Sequence, residues 1–348
     1  MAVGDTALFS GESYLGFGRE TTYGTYATAG AGLDFLSASI KTIKDSKILE
    51  QVERKRTMSK AFSLGKTVEG EVEAYLAPEV TAMGFILQNA FGGTVTSATA
   101  TGETAGGAAF THTFSEGSMD QTYKALSVNH RKGPSSGGKV WRYSGGRVNS
   151  LALTAELDEP LKMNVGLIFK DSTQQSDDIE SLMTATAFEV LSFANGRFSV
   201  ESNFASLTST SFWHVQSINF ALNNNLKNDN LARRIGSDVL SVLPVGVQSY
   251  ELSCQIRFDT TTAYDAMINA TELAAEFEFQ GTTMTTSVIK RGLKVQFQKL
   301  VVKDAGDPEI SGPDDVLVST VVFNVLRDES AAGYAVRALL TNNVTSYA

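Results

Sequence analysis

Apolar and polar residues change places at every second position through long stretches of this chain. In TVEGEVEAYL (residues 67–76), Val68, Val72 and Ala74 fall on one side and Glu69, Glu71 and Glu73 on the other. In YELSCQIRF (250–258), Tyr250, Leu252, Cys254, Ile256 and Phe258 oppose Glu251, Ser253, Gln255 and Arg257. SLALTAEL (150–157) and PLKMNVGLIF (160–169) repeat the pattern around the turn residues LDEP, which predicts a hairpin. A period of two belongs to strands with one buried and one wet face. Thirty glycines against six prolines, with Thr, Ser and Val throughout, suit strands and turns. Only two segments carry helical spacing: residues 77–91, with Pro78 in the first turn, and DTTTAYDAMINA (259–270), with Asp259 as N-cap. The expected class is all-β with short helices.

The order of these elements occurs twice. FLSASIKTI near Phe35 resembles HVQSINFAL near His214, and each is followed by a long charged stretch. Gly65 and Gly246, and later Ala82 and Ala263, stand 181 residues apart, marking the next strand and the short helix. Each half closes on a strand pair ending in a charged dipeptide, Lys170-Asp171 and Arg327-Asp328. This order predicts two tandem β-sandwich or barrel domains, residues 1–175 and 176–348, each with a flanking helix and joined through the polar stretch 173–187. The Gly/Ala/Thr-rich insert at 92–109 reads as an exposed loop or loose hairpin, not a packed element.

Chemistry finds little support. One cysteine, Cys254, excludes an intrachain disulfide and cysteine-rich zinc sites. His112, His130 and His214 have no ligand spacing, no nucleophile elbow is present, and Glu69 and Glu71 share one strand face instead of flanking a cleft. GFGRETTYGT (16–25) looks like a phosphate loop but lacks the lysine and following helix that such a loop needs. No cofactor or metal is expected, and the chain reads as no enzyme. The net charge of −9 disfavours wrapping of nucleic acid. The first residues resemble no secretory signal, and no apolar run approaches the ~18 residues of a membrane span, so synthesis in a cytoplasm is expected. Two mixed-charge loops remain as docking surfaces: Lys44, Asp45, Lys47, Glu50, Glu53, Arg54, Lys55 and Arg56 in the first half, and Lys227, Asp229, Arg233 and Arg234 in the second.

These features together resemble the phage major tail tube protein family. The resemblance rests on GFGRETTYGT at the start, FTHTF (110–114) and YSGGRVNSLALTAEL (143–157), then VQSINFALNNNL (215–226) and LPVGVQSYELSCQIRFDTTTAYDAM (243–267). It implies β domains with a flanking helix, six to a ring, with rings stacked into a tube through which a viral genome passes. Two domains per chain then need three chains per ring. The resemblance also implies a virion location and, as partners, further copies of the chain, tape-measure, tail terminator and baseplate proteins, and viral DNA that passes without specific binding. The face of Glu69, Glu71 and Glu73, with Glu251, Ser253 and Gln255 in the second half, is expected to line the lumen. Gly16, Phe17, Gly18, Arg19, Glu20 and Tyr23 are expected to form an N-terminal arm laid along a neighbour, and the C-terminal residues a second arm. The alternative is another virion structural protein of the same fold: tube-terminating, baseplate or decoration.

Overall fold

The computed structural model describes residues 10–51, 54, 57–58, 60–103, 107–117, 125–134, 137–175, 189–207, 212–258, 260–285, 287–306, 316–330 and 333–347. The first half runs β1 (Tyr14–Arg19), β2 (Ala31–Leu33), β3 (Ser37–Ala38), β4 (Lys41–Ile48), β5 (Ala61–Tyr75), α1 (Thr81–Phe91), β6 (Thr96–Thr99), β7 (Phe110–Ser115), β8 (Leu126–Lys132), β9 (Lys139–Glu156), β10 (Lys162–Phe169) and β11 (Asp171–Gln175). The second runs β12 (Gly196–Glu201), β13 (Val215–Asn223), β14 (Ser249–Arg257), α2 (Thr262–Ile268), β15 (Glu272–Thr283), β16 (Lys290–Asp304), β17 (Val318–Leu326) and β18 (Val336–Asn342). The chain is all-β with two short α-helices among the described residues, and every pairing is antiparallel.

The long strand β9 organises the first half. Residues 140–144 lie between β8 and β11, and residues 147–154 continue beside β10. β10 then pairs with β5, and β5 with β4. The second half has the same pattern around β16: β15 on one edge, β18 then β17 on the other. β17 pairs with β14, and β14 with β13. The halves meet where β13 pairs with the end of β9, from Ser217↔Glu156 to Asn223↔Ser150.

The alternation read in the sequence fixes which face is dry. Val68, Val72 and Ala74 of β5, Met163, Val165 and Leu167 of β10, and Leu151 and Leu153 of β9 are buried together. On the second half the same face carries Phe220, Leu252 and Phe323, with Phe220 packed 5.5 Å from Phe297 and 6.2 Å from Phe277. One contiguous apolar cluster joins both sets. α1 covers it with Ala82, Met83, Ile86, Leu87 and Ala90, and ends at Gly92 in the left-handed conformation, φ 75°. Its N-cap is Val80, so Pro78 belongs to the turn before the helix. α2 begins after Thr261, whose hydroxyl donates to Asp265 at 2.9 Å; Asp259 lies outside the described residues.

Two segments pack more tightly than their composition suggests. The insert holds strand β6, paired with β7, and Ala100 and Ala109 bury against Met284 of the second half. β7 in turn pairs with β18, Phe114 opposite Ala338, which ties the halves a second time. The C-terminal residues form no free arm: β18 is an internal strand, and Tyr347 behind it is fully buried. The Tyr347 ring lies over Gly84 of α1, where an added Cβ would sit 2.1 Å from the ring, and Asn342 bridges the Tyr347 hydroxyl (2.9 Å) and the Pro78 carbonyl (2.7 Å). A side chain at residue 84 would displace the tyrosine, which explains the glycine inside a helix. Tyr347→Ala empties this site, and the loss expected for an aromatic-to-alanine change is about 3 kcal/mol. A shift of the urea midpoint at unchanged slope checks it.

Candidate assembly surfaces

The face of the sheet opposite the core gathers the acidic residues expected at a lumen. Glu73 stands in one register row with Asn164, Ala152, Ala221, Glu251 and Asn324, across six strands from β5 to β17. Ser253 shares the next row with Asn219, Thr154, Lys162 and Tyr75. Paired residues point to the same side of a sheet, so Glu69, Glu71, Glu73, Glu251, Ser253 and Gln255 share one surface. The strands between the two acidic sets carry small neutral groups there, Ala152, Thr154, Asn219 and Ala221, together with two cations, Lys162 and, in the Glu69 row, Arg147, which donates to the Leu243 carbonyl. These neutral positions escaped sequence reasoning because nothing in their composition marks which strands stand side by side. Glu69 is partly covered: Asn228 of the second half donates to it at 3.2 Å.

That contact belongs to a larger one. Residues 224–248 fold over the first half, where Leu226, Ala232, Leu240 and Leu243 pack around Ile168 and Tyr23. Arg233 donates to the Lys66 carbonyl (3.1 Å) and the Thr67 hydroxyl (2.9 Å), and Lys44 pairs with Asp238 at 2.7 Å. Thus Lys44 and Arg233, from the two expected docking loops, serve one intrachain interface. Asp229 accepts from the Leu231 amide at 2.9 Å and caps a short turn, while Lys227 and Arg234 are exposed. Asp45, Lys47, Glu50 and Arg54 are exposed on or beyond the β4–β5 hairpin; Glu53, Lys55 and Arg56 lie outside the described residues.

The glycine-rich opening stretch is structural within the chain. Gly16, Phe17, Gly18 and Arg19 belong to β1, paired with both β2 and β8, and Phe17 is fully buried. An arm laid along a neighbour would leave these residues outside the fold, whereas here the backbone amides complete a sheet. Leu15 and Phe17 alternating with Gly16 and Gly18 was the available signal of a strand. A Cβ on Gly18 would lie 2.8 Å from the Thr28 carbonyl oxygen, so the close return of the chain needs glycine. Arg19 donates to the Tyr347 carbonyl at 2.6 Å, and the Tyr23 ring lies under Arg147 and Lys170 at 5.2 and 5.3 Å.

Glu20 answers the phosphate question. Its carboxylate is 1% exposed and accepts from the Gly24 amide (2.6 Å), the Gly145 amide (2.7 Å) and the Ser127 hydroxyl (2.7 Å). The loop does make an anion nest, with Gly24 at φ 77°, and the chain's own carboxylate fills it. Burial pushes the Glu20 carboxyl above its ordinary range, and the three hydrogen bonds and Lys170 pull the other way. The histidines stand in separate settings. Burial lowers His130 to about 4, and His112, held by Ser97 and Asn342, is lowered for the same reason.

A family model described as phage tail tube protein matches residues 11–325. The chain belongs to that family. No curated protein sequence matches it. The protein is therefore a structural component of a virion tail, of a kind that self-assembles into a tube, and its family is structural, not enzymatic.

Glu20→Gln turns one acceptor oxygen into a donor that faces existing donors. The expected cost is about 1–3 kcal/mol of stability, read as a lowered unfolding temperature, with Glu201→Gln on the half-buried end of β12 as an unaffected control.

Proposed function

We propose that this protein is the major tail tube subunit, that its two halves are two copies of one tube domain, and that three chains close a ring of pseudo-sixfold shape. The observation that carries the reading is the β9–β13 pairing. Each half supplies four neighbouring strands to one sheet, β4-β5-β10-β9 and then β13-β14-β17-β16, and the halves join edge to edge. β4 holds in the first half the place of β13 in the second. Its outer edge has no strand partner among the described residues. The same junction repeated between chains would set β4 of one copy against the last residues of β16 of the next, residues 302–304, which run past the last β15 pair, Glu272↔Val301. An unpaired edge strand templates further pairing, and closing a ring removes it. Because the two edges differ, the contact is heterologous and closes only by rotation.

In such a ring the face of Glu69, Glu71, Glu73, Glu251, Ser253 and Gln255 becomes the lumen wall. Small neutral side chains between carboxylates offer phosphate no cation cluster, so DNA passes without specific binding. Stacked rings then make the conduit, with tape-measure, terminator and baseplate proteins at its length and ends.

Electron microscopy of the purified protein tests the assembly. Hollow tubes with threefold rings are expected; closed single rings or monomers assign the chain to a terminating or baseplate role. Replacing Glu69, Glu71 and Glu73 together by Lys should leave tubes intact and slow genome ejection from particles that carry the variant. Ejection at the unaltered rate would remove the lumen assignment.

A further inference from the structure

We infer that a groove between neighbouring chains, on the side away from the proposed lumen, takes up one extended strand from a protein bound outside the tube. This rests on the proposed ring but names a site and an occupant that the ring alone does not specify. A space that is filled within the chain stays open between chains. Inside the chain, β18 of the second half offers its outer edge to β7, with Ser115 opposite Arg337 and Phe110 opposite Asn342. β7 turns His112 and Phe114 inward, where both are buried, and Thr111 and Thr113 to the other side. Tyr347 lies between this strand and α1, its ring 4.6 Å from His112, 6.0 Å from Phe114 and 6.0 Å from Phe85. Under this cover α1 buries eight of its eleven residues.

The repeat puts the same elements at the boundary between chains without the filling. β11 pairs with residues 140–144 of β9 as β18 pairs with residues 292–297 of β16. In both halves this is the first part of the long strand, behind the wall that its last part joins. The second edge of β11 has no strand partner among the described residues. α2 stands where α1 does, but only three residues separate it from β15, whereas the first half inserts β6 and β7 after its helix. No strand is therefore supplied to lie on β11 of the next chain. α2 buries only Ala263 and Ala266, and its Tyr264 and Ile268 are 41% and 63% exposed. In the ring these two side chains and the free β11 edge flank one groove at each boundary between chains.

The edge and the missing strand define the occupant. Native sheet edges are protected by lysine, proline or a bulge, and β4 carries three lysines. β11, DSTQQ, has none of these guards: its one charge, Asp171, pairs with Lys66, and Thr173, Gln174 and Gln175 are neutral. A neutral, unguarded edge accepts a strand through main-chain hydrogen bonds, and alternate side chains of that strand set the selectivity. The occupant has the pattern of β7: six residues, antiparallel to the edge, apolar at the positions that face Tyr264 and Ile268, with hydroxyl residues between them. The described strands of the chain are all paired within its own fold, so the donor is a second protein. The groove lies behind the wall and opens to the outside of the tube, away from the genome.

A peptide of residues 109–115, AFTHTFS, copies β7 and serves as the probe. Labelled peptide should bind purified tubes saturably, one per chain, and a scrambled peptide of the same composition should not. The double change Tyr264→Asp, Ile268→Asp should weaken binding about tenfold or more while tubes still form, because both side chains are exposed and lie off the wall. Thr173→Pro and Gln174→Pro give a second reading. Amides alternate in direction along a strand, so one of the two removes an amide that points away from β9 and should abolish binding. Intact tubes that bind no peptide overturn the inference, as does binding that survives both the α2 change and the two prolines. Equal binding to the unassembled chain overturns it too, because the peptide would then be replacing β7 on β18. If electron microscopy shows no tubes, the ring reading fails and the groove, built from two copies, fails with it; tubes without binding refute the groove alone.

Discussion

Everything in this molecule depends on the antiparallel pairing of β13 with the end of β9. It turns two separate sheets into one, so that Glu73 and Glu251 share a register row although they are 178 positions apart in sequence. Backbone hydrogen bonds enforce that row without any help from the side chains at its ends. The pairing also fixes parity. A slip of one residue would turn Ile218, Phe220 and Leu222 of β13 to water and its Ser and Asn positions into the core. The apolar cluster beneath both halves therefore holds the junction in a single register.

Around that junction the chain spends its less regular segments on bracing. β7 and β18 cross between halves on one side, and residues 224–248 cross on the other. Tyr347 and Arg19 then tie the last residues to the first strand and to α1. With three separate crossings and a shared core, the halves form a stiff unit. A stiff unit suits a repeated wall, where a small hinge error at each junction would accumulate around a ring.

The strands were legible because alternation is a local property: β5, β9, β10 and β14 can each be traced from their own residues. The Glu-bearing face followed from the same alternation. Partner choice is not local, and so it stayed hidden. Nothing in FTHTF reveals that Thr113 will face Leu339, and the Gly/Ala/Thr-rich insert looked loose because small residues pack without a visible apolar stripe. The opening stretch misled for a related reason. Glycines can signal a nest for a ligand or close backbone contact, and only the fold shows that Glu20 already fills the nest.

The outer edge of β4 also bears on why this chain would not simply pair with itself in the wrong sense. β4 places Lys41, Lys44 and Lys47 along its length. With Lys44 paired to Asp238, two β4 strands brought together antiparallel would set Lys41 and Lys47 of each copy on one shared ribbon against a single Asp45 per copy, which like-charge repulsion opposes. The last residues of β16, past its pairing with β15, carry Asp304 after Lys303 and would be the less repulsive partner for β4. Charge on an edge strand is a familiar defence against aggregation. In the proposed ring the same lysines would favour a heterologous over an isologous contact, and that choice separates a ring from a dimer.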